Sequence, residues 1–216
     1  MRPIVCWDLD GTILDPNGSI RASIDHAVES RGHEPFDADD QGLIGKDLRT
    51  ILRMKEPEGD DEAIQAMVDA FRRHYTEEAW HAVRFYPGVR ETIEALHQEG
   101  RQQAIVTTKG EEEAKELLAN LDFAHPFGAI VGDDDVRPIK PDPAPVYAAC
   151  GRLGQQPDVA VMIGDTIYDV AAGKAAGAAA IGVTWGHSGA ERLLAAGADK
   201  VAEDAQQLRR LLVLPR

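Results

Sequence analysis

The segment Ile4–Thr12, IVCWDLDGT, is an apolar run that ends abruptly in two acids and a glycine. A continuous apolar run is typical of a buried strand in a parallel sheet, whereas a half-exposed strand alternates. Four later segments share this character and are predicted as strands: Gln103–Thr107, Ala129–Val131, Val159–Ile163 and Ala179–Val183. Helical patterns lie between them, at Val89–Glu99, Glu111–Leu121, Pro143–Gly151 and Tyr168–Ala176. This alternation predicts an α/β protein with a doubly wound, Rossmann-like parallel sheet.

Residues 16–83 break the alternation, because no convincing strand appears in them. Helices are predicted there at Ser19–Arg31, with Ser19 as the cap, at Leu48–Arg53 and at Asp60–Trp80. A connection of this length is too long for an ordinary strand-to-helix loop. The sequence therefore predicts two domains: a core of residues 1–15 and 84–216, and an α-helical cap of residues 16–83 inserted after the first strand.

The composition limits the class of partner. The 216 residues carry 23 Lys and Arg against 37 Asp and Glu, a net charge of −14. Such an acidic chain is a poor ligand for nucleic acid or an anionic membrane, and no apolar run approaches the roughly 18 residues of a membrane helix. Cys6 and Cys150 stand in apolar contexts and are predicted to be reduced. We expect a cytoplasmic monomer or homodimer with neither nucleic acid nor membrane as a partner.

Polar residues follow the predicted strands, at the edge where open α/β sheets bind ligands. They are Asp8, Asp10, Thr107, Thr108, Lys109, Lys140, Asp165 and Asp169. Converging carboxylates repel one another unless a cation holds them, and oxygen ligands suit Mg²⁺. Asp8 and Asp10 point to the same side of an extended chain, roughly 6.5–7 Å apart. That spacing suits a nucleophile beside a general acid/base, although Asp-Gly also ends strands at ordinary turns.

In their order along the chain, these motifs resemble those of the haloacid dehalogenase superfamily, whose phosphohydrolases use an aspartate nucleophile. Asp8-Leu9-Asp10-Gly11-Thr12 looks like the first motif, and Thr107 and Lys140 like the second and third. Gly164-Asp165 with Asp169 looks like the fourth. The resemblance covers essentially the whole chain and includes the small helical cap of one subgroup.

The resemblance implies a phosphatase. Asp8 would form an aspartyl-phosphate, and Asp10 would act first as acid and then as base. Mg²⁺ would be bound by Asp8, by the backbone carbonyl of Asp10 and by Asp165, with Asp169 as an outer ligand or an orienting group. Thr107 and Lys140 would hold the phosphoryl oxygens, with Thr108 as a further substrate-binding candidate.

The resemblance favours a small phosphorylated metabolite similar to phosphoglycolate as the substrate, with pyrophosphate as the alternative. Tyr86-Pro87-Gly88-Val89 and the tail from Trp185 resemble phosphoglycolate phosphatases, whereas Val106-Thr107-Thr108-Lys109 and Lys140–Val146 resemble a pyrophosphatase branch. A sugar-phosphate phosphatase or phosphomutase is a further alternative. Two non-catalytic classes are disfavoured. A receiver domain would be shorter and would lack the helical insert, and a binding protein with a decayed active site would have lost some of the motif residues.

Recognition of an anion by an acidic chain requires local positive charge. Lys46 and Arg49, beside Gly45 in the insert, are predicted to supply it as substrate-binding residues. The alternative is that both side chains are merely solvated. For His187, after the last predicted strand, we expect loop packing rather than a role in the site.

Overall fold

The structure is a computed structural model that describes residues 4–16, 18–37, 43 and 46–213. The chain divides into two compact units, Met1–Asp15 with Phe85–Arg216 and Pro16–Arg84. In the part of the chain that is described, no helix has both the length and the apolar character needed to span a bilayer.

Helices build the unit Pro16–Arg84. They are α1 (Ser19–Glu29), α2 (Leu48–Lys55) and α3 (Asp61–His74), followed by a π-helical turn at Tyr75–Ala79 and a 3₁₀ turn at Trp80–Ala82. The long helix predicted at Asp60–Trp80 therefore changes its hydrogen-bond pattern after His74. The predicted Ser19 cap is wrong. Gly18 precedes α1 in a left-handed conformation, at φ 78°, and no side chain caps the helix.

The described residues contain eight strands, numbered in chain order. They are β1 (Ile4–Trp7), β2 (Leu14–Asp15), β3 (Arg84–Phe85), β4 (Gln103–Val106), β5 (Ala129–Val131), β6 (Ala160–Gly164), β7 (Ala179–Val183) and β8 (Lys200–Ala202). Six of them form one parallel sheet in the order β5-β4-β1-β6-β7-β8. The predicted α/β class and parallel sheet are confirmed, and the edge strand β8 was not predicted.

The unit formed by Met1–Asp15 and Phe85–Arg216 contains the helices that connect the parallel strands, and one more helix that follows the last strand. They are α4 (Val89–Gln98), α5 (Glu111–Asn120), α6 (Ala144–Arg152), α7 (Ile167–Ala175), α8 (Ala190–Ala195) and α9 (Ala205–Val213). The first four match the predicted helices to within a residue at each end. The sequence patterns did not identify α8 and α9.

β1 lies at the centre of the sheet, and every one of its residues is buried. The Trp7 indole donates to Gln103 Oε1 at 3.0 Å, and Gln103 Nε2 donates to the Ile93 carbonyl at 3.0 Å, so the polar atoms of this core pair are satisfied. Cys6 and Cys150 are free, buried thiols. A hydrogen bond between them, together with burial, raises the pKa of Cys6.

The chain order reverses beside β1, because β4 and β6 flank it on opposite sides. Loops that leave the carboxyl ends of these strands therefore diverge and open a crevice, which is where open α/β sheets bind ligands. All residues of the predicted core site follow β1, β4, β5 or β6 in the sequence.

Candidate active site

Asp8 stands directly after β1, and its backbone amide donates to the Ile163 carbonyl at 2.8 Å. The parallel pairing of β1 with β6 thus extends to Asp8 and fixes its backbone. Lys140 Nζ donates to Asp8 Oδ1 at 2.7 Å, to Asp169 Oδ1 at 2.6 Å and to the Val106 carbonyl at 2.9 Å. The ammonium group has three donors, so the three acceptors use its full capacity.

Burial dominates the electrostatics of this pair. It raises the pKa of Asp8 well above its ordinary value, and the charges of Asp169 and Asp165 act in the same direction, while Lys140 opposes them. Burial lowers the pKa of Lys140, but the charges of Asp169 and Asp8 outweigh it and raise that pKa. Lys140 is therefore a permanent cation among acids.

Asp8, Asp165 and Asp169 form a buried acidic cluster, in which one carboxylate oxygen of each lies within 4.8 Å of the others. Three oxygen donors without nitrogen or sulfur suit a hard divalent cation such as Mg²⁺. The cluster therefore fits the metal that the sequence motifs imply. The carboxylate of Asp10 does not belong to this cluster.

Asp165, at the end of β6, is held on both carboxylate oxygens. Thr12 Oγ1 donates to Oδ1 at 3.0 Å. Oδ2 accepts the backbone amide of His187 at 2.8 Å and lies 2.6 Å from His187 Nδ1. The expectation that His187 serves only loop packing is wrong, because its ring contacts a residue of the acidic cluster.

Asp169 belongs to the first turn of α7. Its Oδ2 accepts the backbone amide of Thr166 at 3.0 Å and the Thr166 hydroxyl at 2.6 Å. Thr166 Oγ1 in turn accepts the Asp169 amide, which completes a capping box. With Oδ1 bonded to Lys140, this carboxylate is engaged on both oxygens.

Asp10 has a separate cationic partner, Lys109, which the sequence reasoning left without a role. Lys109 Nζ lies 3.3 Å from Asp10 Oδ2 and 3.1 Å from Glu113 Oε1. Asp10 Oδ1 is buried and has no hydrogen-bond partner among the described residues. Burial raises the pKa of Asp10, and Lys109 opposes the rise. The sequence offered one signal, the four-residue spacing of Lys109 and Glu113, although Lys109 lies before α5, which begins at Glu111.

Thr107 and Thr108 follow β4 next to the Val106 carbonyl that Lys140 contacts. Thr107 is buried, and its Oγ1 accepts the Lys109 amide at 3.1 Å. Thr108 is half-buried. The end of β4 therefore brings a hydroxyl group and Lys109 to the edge that carries the acids. Lys140, from the segment after β5, contacts the same strand end through the Val106 carbonyl.

Lys46 and Arg49 belong to the helical unit. Lys46 is half-buried and immediately precedes Asp47, whose side chain caps α2 by accepting the Thr50 amide at 3.1 Å. Arg49 donates to the side chain of Gln65 on α3. Gly45, which the prediction placed beside them, lies outside the described residues.

Comparison with known proteins places the chain in a family. A sequence profile described as haloacid dehalogenase-like hydrolase matches residues 5–183. A phosphoglycolate phosphatase from Aquifex aeolicus is 34% identical over 85% of this chain and 85% of its own. Pyrophosphatase PpaX from Bacillus velezensis is 37% identical over 94% of this chain and 93% of its own.

A solved structure, that of a hydrolase from Pseudomonas syringae, matches with a TM-score of 0.86 and 28% identity over 98% of both chains. The family resemblance predicted from the motifs, including the similarity to phosphoglycolate phosphatases, is confirmed. The chain belongs to the haloacid dehalogenase-like hydrolase family and is an enzyme of the hydrolase class.

Proposed function

We propose that this enzyme is a Mg²⁺-dependent phosphatase that hydrolyses the phosphomonoester of a small metabolite through an aspartyl-phosphate at Asp8. One observation carries the proposal: the buried Asp8 carboxylate, which Lys140 contacts at 2.7 Å, shares a cluster with Asp165 and Asp169. A carboxylate in this setting has a cation beside it and can receive a second one, which is what attack on a phosphoryl anion requires.

Asp8 and Asp10 divide the chemistry. The Asp8 carboxylate attacks phosphorus, and the bond to the leaving oxygen breaks as that oxygen takes a proton from Asp10. Asp10, now ionised, removes a proton from the water that attacks the aspartyl-phosphate, which releases phosphate and restores both side chains. Its raised pKa favours the protonated form that the first step needs.

The cation and Lys140 support the nucleophile. Mg²⁺, held by Asp8, Asp165 and the Asp10 carbonyl, would supply positive charge to the phosphoryl oxygens and favour the ionised form of Asp8. Lys140 neutralises charge between Asp8 and Asp169, and Thr107 offers a hydroxyl to the phosphoryl group. Asp169 contacts Lys140 through Oδ1 and Thr166 through Oδ2, and we assign it the role of an orienting group.

Phosphoglycolate is the substrate we propose, because curated relatives that align over most of the chain carry that name. Inorganic pyrophosphate is the second candidate, since the relative named pyrophosphatase is 37% identical. The two differ in charge and in leaving group, so one assay separates them. We expect kcat/KM for phosphoglycolate to exceed that for pyrophosphate and for glucose phosphates.

The mechanism is tested with the variant Asp8→Asn, whose amide has nearly the shape of the carboxylate but is a poor nucleophile. We expect it to remove turnover of phosphoglycolate and of p-nitrophenyl phosphate while circular dichroism stays unchanged. EDTA should abolish the wild-type rate, and added Mg²⁺ should restore it. Full activity of the variant or of the chelated enzyme would contradict the mechanism.

We further propose that the helical unit is the cap that recognises the leaving group, with Lys46 and Arg49 as its cationic residues. Lys46→Ala and Arg49→Ala are expected to raise KM for phosphoglycolate but not for p-nitrophenyl phosphate, which has no carboxylate. Arg73→Ala, an exposed cation on α3, is the control. Equal effects on the KM values of both substrates would contradict a role of Lys46 and Arg49 in recognition of the leaving group.

A further inference from the structure

We infer that His187 is a positioning residue that fixes the Asp165 carboxylate, so that Asp165 presents Oδ1, and not Oδ2, to the metal. The inference rests on the proposed function, because it concerns the cation that Asp8, Asp165 and the Asp10 carbonyl are proposed to hold. No sequence motif that predicted the site included His187.

Two donors from the same residue meet Asp165 Oδ2. The backbone amide of His187 lies 2.8 Å from Oδ2, and Nδ1 of its ring lies 2.6 Å from the same oxygen. An ionised carboxylate only accepts hydrogen bonds, so Nδ1 is the protonated ring nitrogen in this contact. The neutral imidazole with its proton on Nδ1 is sufficient for this contact.

The number of hydrogen-bond acceptor positions shows which Asp165 oxygen can still bind the metal. A carboxylate oxygen has about two acceptor positions, and His187 occupies both of those on Oδ2. Oδ1 accepts one hydrogen bond, from the Thr12 hydroxyl at 3.0 Å. The same hydroxyl lies 3.3 Å from Asp8 Oδ2, so Oδ1 is the Asp165 oxygen on the side of Asp8. Oδ1 therefore keeps a position for the cation.

Two glycines make the approach of His187 to Asp165 sterically feasible. A Cβ atom on Gly186 would lie 2.3 Å from Asp165 Oδ2, and one on Gly11 would lie 2.4 Å from that oxygen and 2.8 Å from His187 Nδ1. Any side chain at either position would displace the histidine or the carboxylate. Gly11 also has φ +89°, which L-residues with a side chain rarely adopt.

The loop is anchored independently of the histidine ring. The Ser188 amide donates to the Asp165 carbonyl at 3.1 Å, and the Trp185 indole donates to the Thr12 carbonyl at 3.0 Å. Removal of the ring should therefore leave the loop in place and remove only one donor from Oδ2. That separation makes the role of the ring testable by substitution.

The test compares His187→Leu with His187→Asn. Asn places an amide donor close to the position of Nδ1, whereas Leu has a similar size and no donor. Mg²⁺ affinity is measured by titration calorimetry on the metal-free protein, so the result does not depend on turnover. Loss of such an orienting contact weakens metal binding by about 10–100-fold. We expect that loss in the Leu variant and a change below about threefold in the Asn variant.

His125→Leu is the matched control, because His125 is an exposed histidine that pairs with Glu94 at 3.0 Å. The metal-free melting temperature of each variant is recorded to confirm folding, and His187→Ala replaces the Leu variant if the latter does not fold. Wild-type affinity in the Leu or Ala variant overturns the inference. So does equally weak binding by folded Leu and Asn variants.

Failure of the metal site in the proposed function gives a different result from failure of the role of His187. In that case the wild-type protein itself does not bind Mg²⁺, and the metal site is overturned together with the role of His187. Wild-type binding with unchanged variants overturns the role of His187 alone. The expected pattern is weak Mg²⁺ binding by the Leu variant and near-normal binding by the Asn variant. It supports both the metal site and the role of His187.

Discussion

Asp8 and Asp10 are two buried acids with two different cationic partners. Lys140 contacts Asp8, and Lys109 contacts Asp10. Burial raises both pKa values, but Asp8 shares its lysine with Asp169, while Asp10 shares its lysine with Glu113. Separate partners allow the two acids to hold different protonation states, as the roles that we propose for them, nucleophile and general acid, require.

Lys109→Met should raise the pKa of Asp10 further, because Lys109 lowers that pKa and Glu113 raises it. In the proposed mechanism the first chemical step needs protonated Asp10, so the alkaline limit of that step is the ionisation of Asp10. We expect the alkaline limb of kcat/KM for phosphoglycolate to move up by about one pH unit. The pH–rate profile measures this. Lys115→Met, which removes an exposed partner of Glu111 and Glu112, should leave the profile unchanged.

An alkaline limb that moves to lower pH would assign the general acid to a group other than Asp10.

The sequence predicted Asp8, Asp10 and Asp165 as site residues because each follows a predicted strand, at the carboxyl edge of the sheet. It did not predict the contacts Lys109–Asp10 and His187–Asp165. Those pairs are distant along the chain, and in the second the close approach depends on Gly186, whose effect is visible only in three dimensions.

At the scale of the element, the N-terminus of α7 contributes both to the stability of the protein and to the candidate site. Its N-cap, Thr166, exchanges hydrogen bonds with Asp169, and Asp169 contacts Lys140. Thr166→Ala should destabilise the protein by about 1–2 kcal/mol through loss of the cap. It should also lower kcat, because Asp169 Oδ2 loses the hydroxyl donor that orients the carboxylate. Urea unfolding and steady-state kinetics measure the two effects.

Thr166→Ser keeps the capping hydroxyl and is the control for that experiment. Full stability in the Ala variant would show that the cap contributes little to α7. Loss of stability with unchanged kcat would show that Asp169 is oriented without Thr166.

The elements found from the sequence are those with strong patterns. Central strands such as β1 and β6 are apolar throughout because both faces are covered, so their identity followed from composition alone. Lys200–Ala202 has three residues with an exposed lysine at its start, and this edge strand resembles a loop in sequence. The end of one helix was misplaced, because the helix predicted to reach Trp80 ends at His74. The π-helical turn at Tyr75–Ala79 continues the helical apolar pattern and changes only the backbone bonding.

At the scale of the whole molecule, the protein has a net charge of −14 and an acidic site. The anionic substrate that we propose must therefore depend on local cations. Lys46 and Arg49 are the cations proposed on the helical unit, and Lys109, Lys140 and the proposed metal are those beside the acids. Their fields act over a few ångströms in a buried site, where salt screens poorly, whereas the surface charge is screened beyond about 10 Å in ordinary buffer. The local charges therefore decide binding.

The same balance predicts how the stability of the metal-free protein depends on pH. The pKa of Asp8 is raised in the folded protein, so folding binds its proton more tightly. The contribution of Asp8 to the free energy of unfolding is fully present below the ordinary pKa of an aspartate. It is lost as the pH rises through the pKa that Asp8 has in the folded protein. Asp8→Asn cannot ionise. The free energy of unfolding of the wild type should therefore fall relative to that of Asp8→Asn between acid and neutral pH, by about 1.4 kcal/mol for each unit of pKa shift.

Urea unfolding in EDTA across this pH range measures the difference between the two proteins. The general self-repulsion of an acidic chain affects both proteins nearly equally, so the difference reports the ionisation of Asp8 together with its coupling to Asp165 and Asp169. Mg²⁺ should stabilise the wild type at neutral pH, because a cation in the acidic cluster favours the ionised carboxylate, and it should stabilise Asp8→Asn less. Parallel pH profiles for the two proteins would mean that Asp8 ionises at its ordinary pKa, and that burial beside Lys140 does not perturb it.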